Sequence, residues 1–272
     1  MSFMSPGSVV WFEIGTGNSQ SVQDFYGPVL GWSFDIDPDS SVDGRTYTRI
    51  IAPGAPWPMG AIEQGGNGGE VVHLSILSLD VPDDVERLEK LGATVVVPAT
   101  AVGEVTVFAR LRDPLGNAFA LFSRTSSRQL EERAAATEEH IEQAACAPAP
   151  GGFAWFEIGT IDPQASQDFY REAFGWRFEK DDSAGSKPYY NVFTGNEWPS
   201  GGMYDHSSGP SGADYVMPSF LVTDVPATVA VATAGGATVE HGPDRNPDGL
   251  VFARLIDPNG NRFGLFSMAT QS

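Results

Sequence analysis

Cysteine occurs once in the 272 residues, as Cys146. A lone thiol excludes an intramolecular disulfide and any paired-cysteine zinc or redox site. Histidine is scarce as well: His73, His140, His206 and His241 are all there is. Positive charge is short, with 16 Lys and Arg, three of them Lys, against 35 Asp and Glu, which leaves a net charge of −19. Such a field repels phosphate backbones and anionic bilayers, so nucleic acid and membrane surfaces are not expected partners. No apolar run approaches the roughly 20 residues a membrane helix needs. Met1 to Pro6 carries neither the basic nor the apolar part of a signal peptide. The expected setting is the cytoplasm, and the expected assembly a monomer or homodimer.

Turn formers and apolar residues are plentiful. With 31 Gly, 20 Pro and 41% hydrophobic residues, the composition points to turn-rich sheets around real cores rather than a helical bundle.

The chain repeats itself at an offset of 144 residues. Residues 11–37 and 155–181 both read Trp-Phe-Glu-Ile-Gly-Thr, then Gln-Asp-Phe-Tyr, then Gly-Trp. Residues 108–123 and 252–267 agree at 12 of 16 positions. A period this long means two homologous domains, expected over 7–124 and 151–269. Between them, 125–150 reads as a linker: an Ala- and Glu-rich helix over 129–145, then a Pro- and Gly-rich turn.

Within each copy the hydrophobic period switches in order. Val9 to Thr16 alternates as a strand, with Phe12 and Ile14 on one face and Trp11 and Glu13 on the other. Asn18 can cap a helix that stops near Gly31. Strand-like runs follow around 32–37, 46–52 and 58–64, and then the cycle restarts. A strand over 71–79 leads to a helix opened by Asp80 or Pro82 and closed by Gly92, and strands over 94–98, 105–112 and 118–123 complete it. Each domain is thus βαβββ written twice, an α+β architecture of four modules.

Phe-Tyr…Gly-Trp after the first helix, Asp-Val-Pro at the second and Asp-Pro-x-Gly-Asn-x-Phe-x-Leu-Phe-Ser at the end form an ordered set. That set resembles the vicinal oxygen chelate superfamily of glyoxalase I, bleomycin-resistance proteins and extradiol dioxygenases. The tandem form opening on Trp-Phe-Glu looks like the actinobacterial glyoxalase-like proteins. The resemblance implies curved sheets forming cups, with ligand inside and helices outside. It also implies a divalent metal held by His, Gln and Glu from the first, fourth, fifth and last strands.

Carried over position by position, the implied ligand set is depleted. The first-strand ligand falls on Trp11 and Trp155, the fifth-strand ligand on His73 and Met217, and the last-strand Glu on Ala120 and Gly264. Fourth-strand positions fall near Ala61 and Gly202, with Glu63 within a register slip. A catalytic metal wants about three protein ligands, so no metal or other cofactor is expected. If one binds at all, His73 and Glu63 would hold it.

Aromatic side chains take the place of ligands. Trp11, Tyr47, Trp57 and Phe108 are expected to line the first cup, and Trp155, Tyr190, Trp198 and Phe252 the second, since indole and phenyl faces suit flat apolar ligands. His73 with its neighbour Glu70 should make the first cup the more polar, whereas Met217 makes the second greasier. Glu13 and Glu157 share the strand face of the two tryptophans. A carboxylate in such a cavity needs a cationic partner or a raised pKa, and Arg110 and Arg254 are the evident partners. Three functions fit. The first is a metal-free binding protein for a small hydrophobic or aromatic metabolite or antibiotic. The second is a metal-independent enzyme on a natural product, with Glu13 or Glu157 as acid–base group. The third is a metal-dependent lyase, isomerase or dioxygenase.

Overall fold

The computed structural model describes residues 5–38, 40–41, 44–65, 71–102, 106–124, 149–181, 188–207 and 214–268. The linker helix expected over 129–145 lies outside the described residues, as do Glu70, His140 and Cys146. Among the described residues, two eight-stranded mixed sheets and four helices make up the fold, and neither sheet closes into a barrel.

In the first domain β1 (Val9–Thr16) is followed by α1 (Ser19–Leu30), β2 (Ser33–Ile36), β3 (Thr46–Ile51) and β4 (Gly60–Gln64). The second module is β5 (Val71–Leu77), α2 (Val81–Lys90), β6 (Thr94–Val102), β7 (Thr106–Arg112) and β8 (Ala118–Arg124). The sheet order is β2-β3-β4-β1-β5-β8-β7-β6. The antiparallel pair β1–β5 joins the modules at the centre, and within the modules β1–β4 and β5–β8 run parallel. The second domain repeats the pattern with β9 (Phe153–Thr160), α3 (Pro163–Phe174), β10 (Arg177–Lys180), β11 (Tyr189–Phe193) and β12 (Gly201–Asp205). It ends with β13 (Tyr215–Leu221), α4 (Val225–Ala234), β14 (Thr238–Arg245), β15 (Val251–Ile256) and β16 (Arg262–Ser267).

Local signals set the helix ends. The Asn18 side chain accepts from Ser21 N–H, and Gly31 closes α1 at φ 71°, a left-handed conformation that glycine adopts without a Cβ penalty. Asp80 caps α2 by accepting from Asp83 N–H. The strand expected over 94–98 runs on to Val102. Register shifts between Val95 and Val97 and between Val97 and Thr100 let β6 bend past Pro98 and keep pairing with β7.

Alternation on the first strands divides the faces as the sequence requires. Phe12, Ile14, Phe156 and Ile158 are fully buried in a core shared by both domains. Phe12 packs on Phe153 and Phe220 of the second domain at ring separations of 5.3 and 5.4 Å. The Phe-Tyr…Gly-Trp motif locks the domains together. Tyr26 stacks on Trp32 at 4.7 Å, and Tyr170 on Trp176 at 4.6 Å. The Trp32 indole N–H donates to the Gly151 carbonyl and that of Trp176 to the Gly7 carbonyl, both at 2.7 Å. The Tyr26 hydroxyl donates to Asp257 at 3.1 Å and the Tyr170 hydroxyl to Asp113 at 3.0 Å. Those aspartates open the Asp-Pro-x-Gly-Asn turns and also accept from the turn's own N–H groups. Burial raises both carboxyl pKa values, with these hydrogen bonds pulling the other way.

Candidate ligand cups

The opposite face of each sheet forms a cup within its own domain. On β1, Trp11 lies in register with Ser75 of β5, and Glu13 with His73. On β9, Trp155 pairs with Ser219 and Glu157 with Met217. The two tryptophans therefore hold equivalent places. The fifth-strand residue opposite Trp11 is Ser75, and His73 sits one pair further along, beside Glu13.

One hydrogen-bonded network recurs in both cups. In the first, the Tyr47 hydroxyl donates to Glu13 Oε1 at 2.7 Å, and the Trp11 indole N–H serves Tyr47. Arg110 Nη2 donates to Glu13 Oε2 at 3.1 Å. In the second, Tyr215 donates to Glu157 Oε1 at 2.7 Å, Arg254 to Oε2 at 2.9 Å, and the Trp155 indole N–H to the Tyr189 hydroxyl at 3.1 Å. Each central carboxylate thus has a phenol on one oxygen and a guanidinium on the other. Burial raises the pKa of all three tyrosines, and the neighbouring glutamate raises it further. Burial alone would lower the Arg254 pKa, but Glu157 and then Tyr215 more than offset it. Arg110 follows the same balance, with Glu13 and Glu63 as the counterweights.

The first cup holds a second carboxylate. Arg110 donates through both Nη atoms to the two oxygens of Glu63 on β4, so a guanidinium on the second module ties down a strand of the first. Arg45 stands 3.8 Å from Glu63 at the rim. Phe108 lies beneath both guanidinium groups, 5.6 Å from Arg110 and 5.9 Å from Arg45. Around these groups is a cavity of about 220 Å³ walled by Trp11, Tyr47, Phe108 and Phe122. His73 is 4% exposed, and its Nδ1 has no hydrogen-bond partner among the described residues. Burial, then the positive charge of Arg110, pushes its pKa down to about 3, so the imidazole is neutral.

Tyrosines fill the second cup. A side chain at Gly159 would overlap the Tyr215 ring, and one at Gly202 would overlap the Tyr189 hydroxyl. Tyr204 takes the register position of Glu63, with the Arg254 guanidinium 4.3 Å from its ring. Met217, 2% exposed, packs on the floor near Gly264. Where the first cup has the carboxylates Glu13 and Glu63, the second has Glu157 alone beside its tyrosines.

Several expected lining residues fall elsewhere. Trp57 and Trp198, 70% and 78% exposed, lie on the loops before β4 and β12 and do not line the cups. Tyr190 pairs with the buried core residue Met203 and so faces the helices; its neighbour Tyr189 pairs with Tyr204 and faces the cup. The β10–β11 connection is two residues shorter than β2–β3, with Lys180 pairing Tyr190 where Ile36 pairs Thr48, so Tyr189 and not Tyr190 matches Tyr47, and an alignment off by one exchanges the faces. Tyr215 was missed because its counterpart, Val71, carries no polar signal. Phe252 stacks on His241 at 5.5 Å and pairs in register with Phe266, as Phe108 pairs with Phe122 in the first cup.

The residues present do not fit the metal that the family resemblance implies. Glu63, the reserve ligand, is taken up by Arg110, which brings a positive charge to the space between Glu13 and Glu63. A side chain at Gly264, where the last-strand Glu would stand, would overlap Ser219. Among the described residues no group of three or more His, Cys, Asp and Glu is placed to hold a metal.

The profile of the Glyoxalase/Bleomycin resistance protein/Dioxygenase superfamily matches residues 152–265, and that of the Glyoxalase-like domain matches residues 11–122. The chain belongs to this superfamily. Among its relatives, a Mycobacterium tuberculosis protein provisionally named glyoxylase CFP32 is 26% identical, over 97% of this chain and 96% of that one. The anthracycline biosynthesis protein DnrV of Streptomyces peucetius is 27% identical, over 98% and 96%. In fold, the 2,3-dioxygenase LapB from Pseudomonas sp. KL28 superposes with a TM-score of 0.61 at 17% identity, covering 98% of this chain and 94% of LapB.

Proposed function

We propose that the protein binds a flat aromatic small molecule in the first cup without a metal, and that the second cup is a structural counterpart. The observation that carries this reading is the open cavity of about 220 Å³ in the first cup, set against tyrosines seated on glycines in the second. Trp11, Phe108 and Phe122 offer faces on which fused rings stack. The Glu13–Arg110–Glu63 network spans the floor where the family resemblance implies a metal. The kinship with proteins named for anthracycline biosynthesis agrees with a polycyclic aromatic ligand.

A second reading, metal-independent catalysis, rests on Glu13. Both of its oxygens already accept hydrogen bonds, from Tyr47 and Arg110, which favours holding a ligand over abstracting a proton from it. The test is equilibrium dialysis of chelator-treated protein against 9-fluorenone, a planar three-ring ketone. Binding should survive chelation and weaken at least about tenfold in Trp11→Ala, the loss expected for an aromatic stacking partner. Binding that needs added metal, or that ignores Trp11, would overturn the reading.

A further inference from the structure

The first cup's carboxylates are already engaged, and this limits what a ligand can offer them. Glu13 accepts from Tyr47 and Arg110, and both oxygens of Glu63 accept from Arg110. The Tyr47 phenol is itself spent on Glu13, and the Trp11 N–H on Tyr47. Each of these carboxylate oxygens already accepts one hydrogen bond, so a ligand hydroxyl or amine could donate only to an oxygen that serves the network.

Arg45 differs from the rest of the wall. Its Nη1 lies 3.8 Å from Glu63 Oε1, beyond hydrogen-bond length, and its guanidinium sits over the Phe108 ring at the cavity's edge. The group is held close by charge and by the ring, with its N–H donors uncommitted to Glu63. It can therefore donate to an acceptor oxygen on a ligand stacked against Phe108. The wall's two arginines balance its two glutamates. A ligand with a full negative charge would leave that balance uncompensated, in a chain already at −19.

We propose that Arg45 reads the ligand of the first cup, and that the ligand is a neutral planar aromatic ketone or quinone whose carbonyl oxygen accepts from the Arg45 guanidinium. This rests on the reading of the first cup as the binding site. Flat rings satisfy the aromatic walls, and the carbonyl supplies an acceptor without a competing donor. Arg45 orients the ring system and leaves the Glu13–Arg110–Glu63 network undisturbed.

Three probes on one skeleton separate the possibilities: 9-fluorenone (acceptor only), 9-hydroxyfluorene (donor and acceptor) and fluorene-9-carboxylate (anion). Calorimetry on the full chain should show fluorenone binding at least about tenfold more tightly than either of the others, the usual worth of a charge-assisted hydrogen bond. Arg45→Met should remove that preference by weakening fluorenone alone, and Arg45→Lys should restore part of it. Equal affinities for the three probes, or an Arg45→Met variant that weakens all of them alike, would overturn the role of Arg45. In that case Trp11-dependent binding would leave the cup itself standing. If no probe binds the unmodified protein, the binding-site reading falls, and the role of Arg45 with it.

Discussion

The two cups share a frame and differ in what fills it. Tryptophan, glutamate and arginine take the same places in both, from equivalent strands, but the phenol that donates to the glutamate comes from β3 (Tyr47) in the first cup and from β13 (Tyr215) in the second. Three register positions diverge. Glu63 becomes Tyr204, His73 becomes Met217, and Val71 becomes Tyr215. In the first cup the extra carboxylate is held by Arg110, with Arg45 3.8 Å away, and a cavity of about 220 Å³ lies beside them. In the second, the added phenol of Tyr215 completes the hydrogen bonding of Glu157 and occupies the volume. The ion pair that braces each sheet stands in both copies, and on the reading proposed above only the first copy takes a ligand.

Removing the arginines tests this contrast at its largest. Arg110→Met strands the buried Glu63 and the partly buried Glu13, and should destabilise the first domain by about 3–5 kcal/mol. Arg254→Met strands only Glu157, which keeps the Tyr215 phenol, so the loss should be about half as large. Denaturant unfolding of the two variants measures the difference. Equal losses would break the distinction between a doubly and a singly charged cup.

His73 against Met217 gives a difference in pH dependence. An unfolded histidine protonates near pH 6.5, whereas folded His73 stays neutral down to about 3. Its contribution is complete above pH 6.5. As pH falls through the window from 6.5 to about 3, the unfolded state takes up a proton that the folded state refuses, and stability is lost. His73→Met should remove that component, cutting the stability lost between pH 7 and pH 5 by about 2 kcal/mol. Unfolding midpoints at the two pH values read it, and an unchanged slope would place His73 outside the buried cup floor.

The domain locks should show symmetry where the cups do not. Tyr26→Phe and Tyr170→Phe each remove one hydrogen bond to a buried aspartate, Asp257 or Asp113, and should cost about 1–2 kcal/mol each. A difference of more than about 1 kcal/mol between them would show that the asymmetry extends beyond the cups.

The repeat, the module order and the division of faces on the first strand were legible in the sequence because alternation and capping are local signals. Glu13, Glu157 and their arginine partners were legible because they lie in the conspicuously repeated segments. The lining of the second cup was not. Tyr189 and Tyr190 are adjacent, and only the pairing of β11 with β12 decides which faces inward. Trp57 and Trp198 read as rim residues because they precede inward-facing strands, but their loops turn them to solvent. Glu63 was visible only as a reserve metal ligand. Its pairing with Arg110 spans 47 residues and two modules, a separation that no local pattern encodes.

The number of ligand sites per chain tests the central claim most directly. Calorimetric titration of the unmodified protein with 9-fluorenone should give one site, and Tyr215→Val, which restores the first cup's residue at that position, should raise the count toward two. Two equivalent sites in the unmodified protein would contradict the claim that only the first cup is open.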